Sequence, residues 1–305
     1  WRSTCSVTAC ATYWICAMTE TLLDVQNLNI TFKGHRQENH AVRGISFSVG
    51  REKVAIVGES GSGKSLTGRS LLKLTPQGAS VSADRMQFGD IDLLSTGERQ
   101  MRKIRGKRIS MIMQDPKFSL NPLMRVGHQI NEAYRIHFHV SEKEARVKAL
   151  AMLEAVNIRD PERVFDLYPH EISGGMGQRI MIAMMLIPEP DLIIADEPTS
   201  ALDVTVRQQV LSVLDALLAR RKTGLLFITH DLGLVSSFCD RALVMYAGRI
   251  LEEISADQLH NARHPYTRAL LASQPDLQHP VDMLAIPARD PAWLTGPVYR
   301  YGEAC

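Results

Sequence analysis

The sequence predicts an α/β fold with a mixed β-sheet, an antiparallel β edge and an inserted α-helical subdomain. From residue 22 onward, short apolar stretches typical of strands alternate with helical patterns, as they do in α/β proteins. Two early stretches alternate apolar with polar residues on either side of a polar turn, which predicts an antiparallel pair at a sheet edge. Between residue 114 and about residue 190 the strand patterns stop and helical patterns replace them, which indicates a helical insertion.

The individual elements follow from local patterns. The antiparallel pair is predicted at residues 22–32 and 41–49, and a short apolar strand at 53–57 leads into a glycine-rich turn and a helix that begins near Lys64. Further buried strands are predicted at residues 108–113, 191–195, 225–229 and 242–246, because each is short and apolar or β-branched. Helices are predicted at residues 125–137, 141–157 and 177–187. Another begins at Asp203, a good N-cap, and its apolar residues repeat at helical spacing from Val206 to Leu217, so one face packs on the sheet.

Composition and charge exclude several classes of protein. The 305 residues are 45% hydrophobic and 22% charged, which is the composition of a soluble globular protein and not of a disordered or collagen-like chain. The net charge is +2 and there is no long basic block, so a nucleic-acid function would need a local patch. The longest apolar run covers residues 180–187 and falls short of the roughly 20 residues that cross a bilayer.

The chain divides into three predicted parts. Cys5, Cys10 and Cys16 all lie in the first sixteen residues, and no disulfide framework can be read from them. Residues 1–17 are interpreted as an extension outside the fold, with Met18 as the natural start; a cryptic signal or a redox cluster is the alternative. Residues 18–255 are predicted to form the main domain, with the helical subdomain at about 115–189. Residues 256–305, which are richer in Pro and His, form a C-terminal appendage.

A glycine-rich turn between the strand at 53–57 and the following helix matches the phosphate-loop pattern G-x-x-x-x-G-K-[ST]. It consists of Gly58, Glu59, Ser60, Gly61, Ser62, Gly63, Lys64 and Ser65, and Leu66 follows it in the helix. Glycines let the backbone curl so that its N–H groups point at a phosphate, and the positive end of the helix strengthens the field. Lys64 is predicted to reach the β- and γ-phosphates, and Ser65 to offer its hydroxyl to Mg²⁺.

Two carboxylates end the predicted strand at 191–195. Asp196 is predicted to hold Mg²⁺, and Glu197 to orient or deprotonate the attacking water. A metal-bound phosphate would lie at this carboxyl end of a parallel sheet. Paired with the phosphate loop, the two residues indicate a catalytic site.

A second turn of small residues precedes a predicted helix, at Ser173, Gly174, Gly175 and Met176. It is a second potential anion site, which a chain with one phosphate loop does not need for itself. With these motifs the sequence resembles the ATP-binding subunits of ABC transporters, in which this segment is the signature motif that closes over the ATP held by the opposite subunit. The resemblance implies the P-loop NTPase fold in its ABC ATPase form, an ATPase activity, and ATP with Mg²⁺ as ligands.

The resemblance assigns further residues. Gln114 falls at the Q-loop position and is expected to contact the metal and the attacking water. Ser200 and Asp203 belong to the segment that resembles the D-loop, and His230 resembles the switch histidine that contacts the γ-phosphate. Phe32, at the end of the first strand, stands where the family places an aromatic residue that stacks on adenine.

Shorter motifs resemble one branch, the dipeptide, oligopeptide and nickel importers. They are Asn121-Pro122, the segments 201–205 and 245–248, and above all the segment 264–271 that begins His-Pro-Tyr-Thr. Members usually pair two different ATPases, and Met176 is similar to the first of the two. The resemblance implies a second ATPase subunit, two membrane permease subunits, an extracytoplasmic substrate-binding protein and a peripheral position at the cytoplasmic face of the membrane. Peptide, nickel and metal-chelate substrates all remain open.

Two other classes compete with a transport ATPase. A soluble ABC ATPase that acts on nucleic acid or the ribosome is disfavoured by the single cassette, the lack of zinc-finger cysteines and the near-neutral charge. A P-loop kinase does not account for the Ser173 motif.

Overall fold

The computed structural model describes residues 20–33, 38–114, 119–200, 202–273 and 290–300. The predicted N-terminal extension, Ala201 of the D-loop segment and the remaining parts of the C-terminal tail lie outside these ranges. None of the helices in the described ranges is both long and apolar enough to cross a bilayer.

One sheet is antiparallel and has five strands. They are β1 (Leu23–Lys33), β2 (Glu38–Val49), β4 (Ala79–Ser82), β5 (Arg85–Phe88) and β6 (Ile91–Asp92). β1 pairs with β2 on one side, with β4 and β5 on the other, and β6 continues the sheet from β5.

The second sheet has six strands and carries the phosphate loop. They are β3 (Lys53–Val57), β7 (Ile109–Ile112), β8 (Leu192–Asp196), β9 (Gly224–Thr229), β10 (Arg241–Tyr246) and β11 (Arg249–Ser255), in the order β11-β10-β3-β9-β8-β7. All neighbours are parallel except β10 and β11, which form an antiparallel edge. Because β3, β9, β8 and β7 are adjacent and parallel, their carboxyl ends meet at one edge, where ligands bind in open α/β sheets.

The helices pack on this sheet and beside it. They are α1 (Lys64–Leu71), α2 (Glu98–Ile104), α3 (Val126–Arg135), α4 (Glu142–Ala155), α5 (Pro161–Phe165), α6 (Gly174–Leu186), α7 (Val204–Arg221), α8 (Leu232–Phe238) and α9 (Pro265–Ala272). Short 3-10 turns lie at Pro169–Glu171, Ala256–Asn261 and Pro291–Leu294.

Two apolar cores lie on opposite faces of the six-stranded sheet. Side chains alternate along β3, so Val54 and Ile56 face the antiparallel sheet, whereas Ala55 and Val57 face the core shared with the helices. All four are fully buried. The parallel sheet is thus covered on both faces, which explains why its strands are continuous apolar runs rather than alternating ones.

The predicted fold class is confirmed, and the five predicted parallel strands start and end within two residues of the observed ones. The predicted antiparallel pair exists as β1 and β2, but it belongs to the separate five-stranded sheet. The antiparallel edge of the mixed sheet is β11. The sequence patterns did not reveal β4, β5, β6 and α2, which are only two to seven residues long.

The prediction for α6 was wrong at its start. The helix begins at Gly174 with Ser173 as its N-cap, whereas the sequence placed its first residue at Gly177. Two consecutive glycines argue against a helix on propensity alone. The cap overrides that preference, because the Ser173 side chain accepts a hydrogen bond from the Met176 N–H at 3.3 Å.

Candidate functional site

The phosphate loop connects β3 to α1 and packs closely against β10. A Cβ atom on Gly58 would lie 2.0 Å from the carbonyl oxygen of Met245, a contact that no larger residue can make. Gly61 and Gly63 have φ angles of +81° and +103°, and Gly63 forms the N-cap of α1. These three positions therefore require glycine, for reasons of space or backbone conformation.

Lys64 is held against its own loop. Its Nζ donates to the carbonyl oxygens of Gly58 at 2.8 Å and Glu59 at 2.7 Å, and the residue is only 5% exposed. Burial lowers the pKa of Lys64, and the nearby carboxylates of Glu197 and Asp196 oppose that shift. The ammonium group is thus fixed beside the loop backbone, where a bound phosphate would neutralise it.

Asp196 lies at the end of β8 and contacts α1. The Ser65 hydroxyl donates to Asp196 Oδ1 at 2.7 Å, and the Arg69 guanidinium lies 3.7 Å from Oδ2. The carboxylate is almost fully buried, and this burial raises its pKa despite both of those partners. A cation in this position would remove the cost of burying the charge.

Glu197 contacts residues at the ends of β7 and β9, the two strands that flank β8. Its Oε2 accepts from Gln114 Nε2 at 3.4 Å, and its Oε1 lies 3.1 Å from His230 Nδ1, which donates when the imidazole proton is on that nitrogen. Gln114 follows β7 and His230 follows β9, so the neighbouring strand order brings the three together. Glu197 has a left-handed backbone with φ of +47°, a strained conformation of the kind that clusters at functional sites.

Ser200 and Asp203, which were predicted to belong to a D-loop, follow shortly after Glu197. The Ser200 hydroxyl donates to the Glu197 carbonyl oxygen at 3.2 Å. Asp203 caps α7 by accepting from the Val206 N–H at 3.0 Å. The segment is therefore connected to the end of β8 by Ser200 and to the start of α7 by Asp203.

The Ser173 segment and Phe32, the two remaining predicted positions, have no described contact with the residues around Glu197. Ser173, Gly174, Gly175 and Met176 form the start of α6 next to α7, and a Cβ on Gly175 would lie 2.6 Å from a methyl of Val206. Phe32 lies in β1 opposite Asn39 and Ala79 and packs, half-buried, on the core of the antiparallel sheet. Neither position has a hydrogen bond to the phosphate loop among the described residues.

The residues at the strand ends fit a magnesium ion. The Ser65 hydroxyl meets the buried Asp196 carboxylate, and the Gln114 amide binds the neighbouring Glu197. Oxygen atoms are the ligands that Mg²⁺ prefers. No cluster of three or more His, Cys, Asp or Glu ligands occurs in the described ranges. Such a site fits an ion that keeps several waters and binds through the phosphates of a nucleotide rather than through a cage of protein ligands.

Three contacts at the site were not predicted from the sequence. Arg69 approaches Asp196, Asp231 pairs with Arg207 at 2.9 Å, and the Tyr266 hydroxyl accepts from the Glu59 N–H at 3.2 Å. Arg69 lies four residues after Ser65 on α1 and therefore on the same helix face, so this spacing could have indicated it. Nothing in the local sequence indicates the other two, because each joins distant parts of the chain.

Comparison with known proteins gives consistent matches. The ABC transporter family model matches residues 42–200. A probable peptide ABC transporter ATP-binding protein of Sinorhizobium fredii is 52% identical over 260 residues, which cover 84% of this chain and 78% of that protein. The oligopeptide transport ATP-binding protein of Bacillus subtilis is 46% identical over 281 residues, 90% of this chain and 78% of that protein.

A solved structure shares the fold. It is a dimeric ATP-binding cassette in a post-hydrolysis state bound to ADP and Pi. It is 26% identical, with a TM-score of 0.66, and the match covers 77% of this chain and 98% of that one.

Proposed function

The chain belongs to the ABC transporter family as an ATP-hydrolysing, ATP-binding subunit, and we propose that it energises the import of peptides. Relatives named for peptide and oligopeptide transport, at 52% and 46% identity, support a peptide over the nickel or metal-chelate substrates that the sequence left open. The convergence of Gln114, Glu197 and His230 beside the phosphate loop is the observation that carries the hydrolytic role.

In the proposed reaction, the phosphate loop and Lys64 bind the nucleotide phosphates. A bound Mg²⁺, held by Ser65, Asp196 and Gln114, would neutralise phosphate charge. Glu197 accepts the proton of a water whose oxygen attacks the γ-phosphorus, while the bond to the bridging oxygen of ADP breaks.

Gln114 and His230 hold the Glu197 carboxylate between them and keep it aimed at the water. The pKa of Asp196 is raised by burial and that of Lys64 is lowered by it, so both charges are costly without a ligand. Binding of a metal-nucleotide complex relieves the cost of burying these charges, which supports the assignment of a ligand-binding site.

The proposed assembly contains two ATP-binding subunits, a heterodimer with a second, different ATPase. Each phosphate loop would face the Ser173 segment of the other subunit, and the lack of a hydrogen bond between this segment and the loop of its own chain, among the described residues, is consistent with that arrangement. Two permease subunits and an extracytoplasmic binding protein complete the transporter, and the chain is peripheral at the cytoplasmic face. Within the chain, we assign residues 18–255 to the ATPase domain, about 115–189 to its helical subdomain, and 256–305 to the appendage.

The test is uptake into proteoliposomes. The chain is co-expressed with the permease and second ATPase of its gene neighbourhood and reconstituted, and the cognate binding protein is added with oligopeptides or with Ni²⁺. We expect ATP-dependent accumulation of peptide and no accumulation of Ni²⁺. Nickel accumulation would contradict the peptide assignment, and a salt-sensitive complex with DNA or ribosomes instead of a permease would favour the soluble ATPase.

A further inference from the structure

A tyrosine near the C-terminal end of the described chain reaches back to the phosphate loop. The backbone N–H of Glu59, the second loop residue, donates to the Tyr266 hydroxyl at 3.2 Å across 207 positions of sequence. Tyr266 lies in the first turn of α9 and is fully buried. A tyrosine from the appendage thus contacts the backbone that cradles the nucleotide phosphates.

The ring of Tyr266 is held in an aromatic cluster. Its centroid lies 4.8 Å from that of Tyr246 and 5.7 Å from that of Trp293, and both pairs are tilted. The Tyr266 N–H donates to His264 Nδ1 at 3.0 Å. Such packing fixes the two χ angles of the side chain, so the hydroxyl is presented to the loop without further ordering.

The cluster is anchored to the edge of the six-stranded sheet. Glu252 on β11 is 1% exposed and accepts from the backbone N–H groups of Arg263 at 2.7 Å and His264 at 3.2 Å. Tyr299 pairs with the same strand through its own backbone, because its N–H donates to Leu251 O at 3.0 Å. Arg263 and His264, which precede α9, and Tyr299 are therefore hydrogen-bonded to β11.

The hairpin of β10 and β11 also binds the phosphate loop from a second side. The Gly248 N–H, in the turn between β10 and β11, donates to the Ser62 carbonyl oxygen at 2.9 Å. Between these attachments lies a cavity of about 200 Å³ lined by Glu59, Ser60, Gly61, Ser62, Tyr246 and Ala247. Because side chains do not fill this flank of the loop, the hydrogen bonds at Glu59 and Ser62 are attachments of the loop on this side.

We propose that Tyr266 is a positioning residue for ATP binding, which holds the first part of the phosphate loop in its binding conformation. It does not contact the nucleotide itself and acts only through the Glu59 N–H. The inference rests on the proposed function, in which this loop binds ATP. It also implies that the appendage, through its aromatic cluster, tunes the affinity of the site.

The test is Tyr266→Phe in the full chain, which keeps the ring and removes only the hydroxyl. Loss of one neutral hydrogen bond corresponds to about a fivefold change in an equilibrium constant. We expect the Kd for Mg-ATP, measured by calorimetry, to rise about fivefold. In the assembled transporter we expect KM to rise by the same factor while kcat stays within about twofold, since the groups around Glu197 are untouched.

The matched control is Tyr299→Phe, which removes a hydroxyl from a ring that packs on His264 with centroids 5.8 Å apart and does not line the loop cavity, and we expect wild-type ATP affinity for it. A lower melting temperature of Tyr266→Phe with unchanged Kd and KM would show a merely structural role and overturn the inference, as would equal effects of both variants. A wild-type chain that binds no ATP would overturn the proposed function as well, so the two failures are distinguishable.

Discussion

Gly58 offers a sharp test of how the phosphate loop is built. In Gly58→Ala, the added methyl would lie 2.0 Å from the Met245 carbonyl oxygen and 3.2 Å from the Ser62 hydroxyl. The Met245 carbonyl belongs to β10, which pairs with β3 and β11 and cannot retreat. The loop must therefore move away from the strand.

The size of the effect follows from that distance. A carbon and a carbonyl oxygen approach to about 3.3 Å, so the loop must shift by about 1.3 Å. An N–H group displaced by that amount no longer reaches a phosphate oxygen within hydrogen-bond distance. Hydrogen bonds to charged groups contribute about 1.5–3 kcal/mol each. Loss of one raises the Kd for ATP at least tenfold, to an upper value of roughly 150-fold.

Calorimetric titration of the purified chain with Mg-ATP measures this change, with circular dichroism as a check of folding. The matched control is Gly97→Ala at the start of α2, where the new Cβ has no heavy atom within 4 Å and φ is −74°. We expect the control to bind ATP as the wild type does. A folded Gly58→Ala protein with a Kd within threefold of the wild type would refute the role assigned to the close packing of the loop on β10.

Three other predictions concern buried groups. Burial raises the pKa of Asp196, so the carboxyl group binds its proton more tightly in the folded state than in the unfolded chain. As the pH rises above 3.8, the free energy of unfolding of the nucleotide-free wild type should therefore fall relative to that of Asp196→Asn, as measured by denaturant titration. Burial likewise raises the pKa of the Cys239 thiol to about 12, so iodoacetamide at about pH 8 should label this cysteine only after unfolding, as peptide mass mapping would reveal. Arg241 pairs with Glu52 at 2.6 Å and with Glu253, and its side chain is 12% exposed. Because Arg241→Ala would leave both carboxylates without their partner, it should lower the free energy of unfolding by about 3 kcal/mol, as measured by urea titration. A loss below about 1 kcal/mol would contradict this.

The central sheet could be predicted from the sequence because each buried parallel strand is a short, uninterrupted apolar run. The runs at β3, β8 and β9 are recognisable without any knowledge of their partners. The antiparallel strands β4 and β5 could not be predicted, because each is four residues long and pairs with β1, about 50 residues earlier for β4 and about 60 for β5. Short strands of this kind depend on tertiary contacts rather than on local propensity.

The candidate site shows the same division. The phosphate loop and the pair Asp196 and Glu197 are contiguous motifs, and their residue types already indicate the chemistry. The bond from Glu59 to Tyr266 joins the loop to a helix 207 residues later, and no local pattern encodes such a contact. The left-handed backbone at Glu197 was also not predictable, because glutamate has no local preference for it and the Glu197 N–H donates to the distant Ile228 carbonyl oxygen at 2.9 Å.

Glu197→Gln in the assembled transporter tests most directly whether this site hydrolyses ATP as proposed. The amide keeps the shape of the side chain but cannot accept a proton. Its oxygen accepts from one of the two partners, and its NH2 group donates to the other once that partner presents an acceptor, either the Gln114 amide oxygen or an unprotonated His230 Nδ1. Removal of a general base is expected to lower steady-state phosphate release by about 10²–10⁴-fold, while the Kd for ATP stays within about twofold. The control Glu189→Gln, at an exposed carboxylate paired with Arg221, should leave turnover unchanged. Phosphate release by Glu197→Gln within tenfold of the wild type would contradict the assignment of Glu197 as the general base.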